Sequence, residues 1–399
     1  MIWTPKRLDE LGSVSRGRSR HRPRDASHLY GGPHPFIQTG DVKHAGLYIS
    51  SYTQTYTEAG MQQSKLWPAG TLCITIAANI ADTAILGIDA CFPDSVIGFI
   101  ADPTQSDARF VKYLFDATIK VRAQQFSQGA TQDNLSQEKL LSLNFDVPPV
   151  TEQTRIADSL STYDDLIENN RRRMALLEES ARLLYREWFV RLRFPGYEHT
   201  PIVDGVPQGW ERLRVDDFGL VVTGKTPSTK DADNYGGEIP FVKTPDMHGN
   251  AFVLASGTLL TEKGAKSQAN KFLPPGAILV SCIGTVGVVS LTAEVCQFNQ
   301  QINAVIPSKE IFRYYCYFAF KDMKPRLDAI GGGVTMANVS KGKFESMDLL
   351  RPTAGLLSHF DGFCMPLFLQ IKVLGLQNQK LRAARDHLLP RLMSGEIAV

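Results

Sequence analysis

The chain repeats itself. "RLDELG" (Arg7–Gly12) returns as "RVDDFG" (Arg214–Gly219) at a spacing of 207, and "YGGPHPFIQTGDV" (Tyr30–Val42) as "YGGEIPFVKTPDM" (Tyr235–Met247) at 205. "PAGTLCIT" (Pro68–Thr75) returns as "PPGAILVS" (Pro274–Ser281) at 206, and "GATQDNLS" (Gly129–Ser136) as "GVTMANVS" (Gly333–Ser340) at 204. A spacing that drifts by only a residue or two over this length marks a tandem duplication with small loop insertions. A period near two hundred is a duplicated domain, not a solenoid. Whatever one half folds into, the other must fold into as well.

Each copy opens with short β-rich runs between Gly and Pro turns: "PFIQTGDV", "GTLCITIA", "IPFVKT" and "GAILVSCIG". Helical stretches follow near Arg109–Thr118 and Phe312–Phe320. Each copy closes on a seam of apolar residues stepping by fours and threes. The first reads Ile156, Leu160, Tyr163, Ile167, Asn170, Met174, Leu177, Ala181, Leu184, Trp188. The second, 204 residues on, reads Phe360, Cys364, Leu367, Ile371, Leu374, Asn378, Leu381, Arg385, Leu388, Leu392. This is a heptad pattern with charged residues between, and it predicts helices of roughly 50 Å at about 1.5 Å per residue. Such helices could lie on their own domains, but strict spacing favours their pairing with each other. The stretch "RFPGYEHTPIVDGVPQGW" (Arg193–Trp210), rich in Pro and Gly, cannot continue the first helix.

The organisation resembles the DNA-specificity subunit of Type I restriction–modification enzymes over nearly the whole chain. The resemblance is carried by "TGKTPSTKDADNYGGEIPFVKTPDM" (Thr223–Met247), the two Asn-x-Ser phrases, "PPVTEQTRIA" (Pro148–Ala157), "LLYREWFV" (Leu183–Val190) and "HLLPRLMSGEI" (His387–Ile397). It implies an α+β chain with two target-recognition domains, 1–150 and 209–353. Each is followed by a long helix, 151–193 and 354–399, with a linker at 194–208, and the helices form an antiparallel coiled coil. It further implies a non-catalytic subunit that reads a bipartite target on double-stranded DNA, one domain per half-site. By the same resemblance the chain docks two methyltransferase subunits, which bring S-adenosylmethionine to the amino group of adenine. It also docks motor–nuclease restriction subunits that use ATP and magnesium. None of these cofactors is expected on this chain. Two alternatives remain: a specificity subunit serving a stand-alone adenine methyltransferase, and a phosphate-loop nucleotide-binding enzyme.

Bulk properties fit an expectation of a cytoplasmic chain with no membrane partner. The net charge of +2 implies no polyanion partner, so a nucleic-acid surface must be a local patch. The 6 cysteines form no C-x-x-C pair, which argues against a zinc knuckle and fits reduced, packed thiols. "MIWTPKRLDE" lacks signal-peptide character, and the apolar stretch Ala277–Leu291 is broken by Gly284 and Gly287 and is too short to span a bilayer.

Three motifs imitate catalysis. "GLVVTGKT" (Gly219–Thr226) fits a phosphate loop, but no helical period follows, and the first copy, "GSVSRGRS" (Gly12–Ser19), keeps both glycines and loses the lysine. "DVPPV" (Asp146–Val150) lacks the spacing and the aromatic residue of an amino-methyltransferase motif. "DVK" (Asp41–Lys43) and "DMK" (Asp322–Lys324) have no matching upstream Pro-Asp, and no H-x-x-x-H pair suggests a zinc hydrolase. The chain is expected to hold no catalytic residue and no metal.

What remains is binding chemistry. "SRGRSRHRPRD" carries Arg16, Arg18, Arg20, Arg22 and Arg24. Arginines bind phosphate and can fork onto guanine, though the run could also be a solvated loop. The second copy offers Lys225, Thr226, Ser228, Thr229 and Lys230 at the same place. Copies that share a frame and differ here are what two domains reading different bases would need. Gln38, Thr39 and Lys43, against Lys243, Thr244 and His248, are second-rank candidates. The Asn-x-Ser phrases are expected to be turns and helix caps. Polar seam residues set register. If Asn170 faces Asn378, then Arg385 stands opposite Tyr163, Phe360 beside Trp188 and Leu392 beside Ile156.

Overall fold

The structure is a computed structural model describing residues 3–77, 81–126, 136–331 and 338–399, with side chains for all of these but 120–126. The chain divides into two compact units: residues 1–169 with 378–399, and residues 170–377.

In the first unit a five-stranded sheet runs in the order Gly12–Arg16, Val96–Ala101, Leu72–Thr75, Thr83–Leu86, Tyr48–Ile49. All neighbours are antiparallel except the last pair. A second, four-stranded sheet has the order Gln54–Tyr56, Tyr30–Phe36, Ala90–Cys91, Leu66–Trp67. Thr4–Arg7 pairs with Asn144–Val147. The second unit repeats this. Its five-stranded sheet is Gly219–Thr223, Ile302–Pro307, Ile278–Ser281, Val289–Thr292, Phe252–Val253, again with only the last pair parallel. Its second sheet is Leu259–Leu260, Tyr235–Val242, Gln297–Phe298, and a bridge from Leu273 to Cys296 stands where the fourth strand would be. The shared "YGG" explains one common feature. Both long strands bulge there, and Gly31 and Gly236 take φ of 85° and 86°, a conformation that side chains resist.

The strand readings of "PFIQTGDV" and "IPFVKT" run too far. The strands stop at Phe36 and Val242, and short helices Thr39–His44 and Thr244–Met247 follow. The shared aspartate is the reason. Asp41 accepts the Gln38 amide at 2.8 Å and Asp246 the Lys243 amide at 2.8 Å, closing a first helical turn. Gly129–Leu135 and Gly333–Ala337 of the repeated phrases lie outside the described residues. Their final serines cap the helices Gln137–Leu141 and Lys341–Glu345, with Ser136 accepting from the Lys139 amide at 3.1 Å and Ser340 from the Lys343 amide at 3.4 Å.

The long helices are α1, Val150–Tyr185, extended by a π turn Arg186–Val190, and α2, Ala354–Met393. No seam position from Ile156 to Trp188 or from Phe360 to Leu392 is exposed. In the first unit Ile156, Ala157 and Leu160 of α1 share one core with Leu392 and Met393 of α2. In the second unit the Phe360 ring of α2 lies 6.2 Å from Trp188 and 5.0 Å from Phe189 of the α1 end. The start of one helix meets the end of the other in each unit, so the pair is antiparallel.

The seam does more than join helices. The first core also holds Phe110, Phe115 and Phe145, and the second also holds Tyr315 and Phe318, so the helices both pair and lie on their domains. Tyr185, Phe189 and Phe368 are off the seam, yet buried, because they face the globular part. The Arg385 guanidinium pairs with the carboxylate of Asp164, the residue next to Tyr163 on α1, because a buried carboxylate binds a guanidinium more strongly than a ring face does. The Asn378 amide donates to the Ile167 carbonyl at 3.2 Å, which ties this polar seam residue to the backbone of α1.

Phe360 tests the shared core. It is fully buried among Tyr185, Trp188, Phe189 and Phe318. Phe360→Ala should cost about 3–5 kcal/mol, and Leu369→Ala, exposed on the same helix, within about 0.5. Denaturant unfolding of the full chain measures both.

Candidate nucleic-acid interface

In the first unit the arginine run leaves the strand Gly12–Arg16 at Gly17, where a Cβ would lie 2.3 Å from the Pro93 carbonyl oxygen. The chain is then pinned. The Arg18 amide donates to Phe92 O at 3.0 Å, the Ser64 hydroxyl to Arg18 O at 2.7 Å, and Gln63 Oε1 accepts the Arg20 and His21 amides at 2.5 and 3.0 Å. Three of the arginines hold this curve themselves. Arg16 Nε donates to Asp94 O at 3.0 Å, Arg22 Nη1 to Ser19 O and His21 O at 2.8 Å each, and Arg24 pairs with Asp94 at 2.8 Å. The run is therefore no uniform cationic strip. Arg18 and Arg20 alone of the five keep exposed guanidinium groups with no partner among the described residues.

Gln38 borders the same small sheet, its Nε2 donating to Gln54 Oε1 at 2.5 Å. Thr39 is half-buried at the first position of its short helix, and Lys43 is exposed near its end.

In the second unit the Lys225 amide donates to Phe298 O at 3.0 Å, the counterpart of Arg18 on Phe92. The Thr226 hydroxyl donates to Gln300 Oε1. Asn234 Nδ2 holds Ser228 O at 3.0 Å and the Tyr235 hydroxyl holds Pro227 O at 2.8 Å, leaving the side chains of Lys225, Ser228, Thr229 and Lys230 exposed. Lys243 sits 6.0 Å over the Phe241 ring, and His248 is exposed. Thr244 drops out as a base reader. It is buried, with 6% exposure, because the first turn of its helix points it inward.

One cation escaped the sequence reading. Lys65 lies 3.6 Å over the Trp67 ring and 3.2 Å from Ser15 Oγ, and burial, then the nearby Arg18 charge, holds its ammonium below the usual lysine range. Its counterpart is Lys271. The signal was present, since "KLWPAG" aligns with "KFLPPG" immediately before a matched segment.

The family model of the Type I restriction modification DNA specificity domain matches residues 2–179 and 207–353, once in each half. The chain belongs to this family. It is 28% identical over 333 residues to the Type I restriction enzyme HindI specificity subunit of Haemophilus influenzae, covering 68% of this chain and 72% of that one. It is 25% identical over 418 residues to the MjaIX specificity subunit of Methanocaldococcus jannaschii, covering 100% and 94%. Among solved structures, the Type I restriction–modification S subunit from M. genitalium shares the fold with a TM-score of 0.58 at 14% identity, over 98% of this chain and 96% of that one.

The chain is thus a specificity subunit and not itself an enzyme. The phosphate-loop imitation resolves structurally. Gly219 and Gly224 stand where a Cβ would lie 2.2 Å from Ile306 O and 2.1 Å from Asn299 O, as Gly12 does at 2.2 Å from Ile100 O. They are close-approach glycines at the two ends of the strand Gly219–Thr223, and the next element after Thr226 is a 3-10 turn, Ala232–Asn234, rather than an α-helix that would aim amides at a phosphate. No group of three or more His, Cys, Asp or Glu among the described residues could hold a metal. The described helices include none long and apolar enough to cross a membrane. All six cysteines are buried, and burial raises their thiols, Cys282 to about 11 and Cys296 to about 12.

The arginines separate by whether they have a partner. Arg18→Ala and Arg20→Ala should each lower the log–log salt slope of DNA binding by about one. Arg24→Ala should leave the slope unchanged and cost ~0–1 kcal/mol of stability through its exposed pair with Asp94. A salt series on the assembled enzyme distinguishes the two classes.

Proposed function

We propose that each globular domain reads one half of a bipartite target on double-stranded DNA, and that the helix pair sets the separation of the halves. The observation that carries this is the contrast between a common frame and unlike loops. Strand order and the close-approach glycines recur in both copies, while Arg18–Arg24 and Lys225–Lys230 differ in charge and hydroxyl content. Phosphate contacts position such a domain, and unlike side chains at base edges make it read a different sequence.

In this reading the chain docks two methyltransferase subunits, which carry S-adenosylmethionine and modify adenine, and motor–nuclease subunits that use ATP and magnesium, in the cytoplasm. The chain itself holds none of those cofactors. A second apolar face on the helices supports docking. Leu176, Leu183 and Val190 of α1 step by seven and are exposed, and Phe363, Met365, Leu369 and Val373 of α2 are exposed as well. Residues so spaced suit a partner helix packing against the outside of the pair.

Two measurements test this. Replacing residues 1–150 by the equivalent domain of a relative should change one half of the methylated sequence, read by mapping methylated adenines, and leave the other half alone. A swap that alters both halves in an assembly that still folds would sink the half-site reading. Leu176→Asp with Leu369→Asp should weaken assembly with the methyltransferase subunits at least about tenfold while shifting stability by no more than about 0.5 kcal/mol. Unchanged assembly would place the docking surface elsewhere.

A further inference from the structure

The two copies differ where they should read bases, so what they share on the same face must serve something independent of sequence. Antiparallel pairing of Leu66 with Cys91 and Trp67 with Ala90 sets Lys65 across from Phe92, whose carbonyl holds the Arg18 amide at 3.0 Å. In the second unit Lys271 holds the aligned position, at the end of the 3-10 turn Ala269–Lys271 and two residues before the bridge from Leu273 to Cys296, and the Phe298 carbonyl holds the Lys225 amide at 3.0 Å. In the first copy the two cations lie close enough for the Arg18 charge to act on Lys65, and in the second copy Lys225 and Lys271 occupy the matched positions. None of the four pairs with a carboxylate among the described residues. That sets them apart from neighbours such as Arg24, Lys263 and Lys266, each held by an acid. Two like charges kept together without a counter-ion raise the local potential and attract an anion.

We propose that Arg18 with Lys65, and Lys225 with Lys271, each clamp one phosphate of the DNA backbone, one clamp per half-site. The proposal rests on the reading of each domain as a DNA reader and assigns the shared cations to positioning. The unlike residues, Arg20 in one copy and Ser228, Thr229 and Lys230 in the other, are left to specificity. Trp67 under Lys65 fixes the ammonium by its ring face and Ser15 Oγ takes one N–H, leaving the remaining donors to a phosphate oxygen.

The test uses the full chain assembled with methyltransferase subunits, carrying Lys65→Gln, Lys271→Gln or both. Binding to the target duplex and to a duplex of unrelated sequence is followed over a salt series. Each single variant should lower the log–log slope by about 0.9 and weaken both duplexes by the same factor. The double variant should lower the slope by about twice that, Lys65→Arg should restore it, and the methylated sequence should not change. An unchanged slope in an assembly that still selects its target would overturn the clamp alone. Weakening confined to the target duplex would make these lysines base readers and overturn it too. A wild-type assembly that binds all duplexes alike would overturn the half-site reading and the clamp with it.

Discussion

Neither globular copy closes its core alone. In the first unit the core that holds Phe110, Phe115 and Phe145 is completed by Ile156 and Leu160 from the start of α1 and by Leu392 and Met393 from the end of α2. In the second, Tyr315 and Phe318 are completed by Tyr185 and Phe189 from the end of α1 and by Phe360 and Phe368 from the start of α2. Each buried aromatic contributes on the order of 1.5–3 kcal/mol by leaving water. A domain cannot release either helix without opening that core. The loops that carry Arg18 and Lys225 are thereby carried on the helix segments of their own unit.

Buried hydrogen bonds add direction to this packing. Tyr113 donates to Asp164 at 2.5 Å, and its counterpart Tyr317 donates to Glu178 at 2.7 Å; both acceptors lie on α1. Each carboxylate also meets a cation, Arg385 in one unit and Lys321 in the other. Burial, then the carboxylate beside it, holds both phenols far above their usual range, so they remain donors. Hydrophobic contact tolerates small slides along a helix. A carboxylate left unpartnered at the depth of Asp164, with 5% side-chain exposure, costs on the order of 3–5 kcal/mol, so the hydrogen bond fixes the position that packing leaves loose.

The sequence made legible what rests on periodicity. The duplication fixed that the sheets would match, and the heptad steps identified residues that are all sheltered. Features decided by three-dimensional neighbours were not legible. Alternating arginines look alike in a row, but Asp94 lies far along the chain and takes up Arg16 and Arg24. Thr244 follows a strand and looks exposed until Asp246 turns the segment into a helix and rotates it inward. Tyr185 and Phe368 break the seam pattern because a second surface, the domain, competes with the partner helix for them. Lys65 was overlooked because a lone lysine carries no motif; only its counterpart Lys271 and the unpaired Arg18 beside it give it meaning.

Net charge and local charge then separate cleanly. At +2 the chain casts no strong field, and beyond about 8 Å physiological salt screens what remains. Several surface cations in the two domains, among them Arg24, Lys263, Lys266 and Arg351, are held by nearby acids. Others meet no carboxylate, and Arg18 and Lys225 among them hold matched backbone positions in the two copies. In the proposed reading these supply the phosphate contacts, and affinity placed in so few contacts is weak until they are met together with base contacts. A subunit whose task is to discriminate gains from that arrangement, because a wrong sequence finds the phosphates but not the bases and is released.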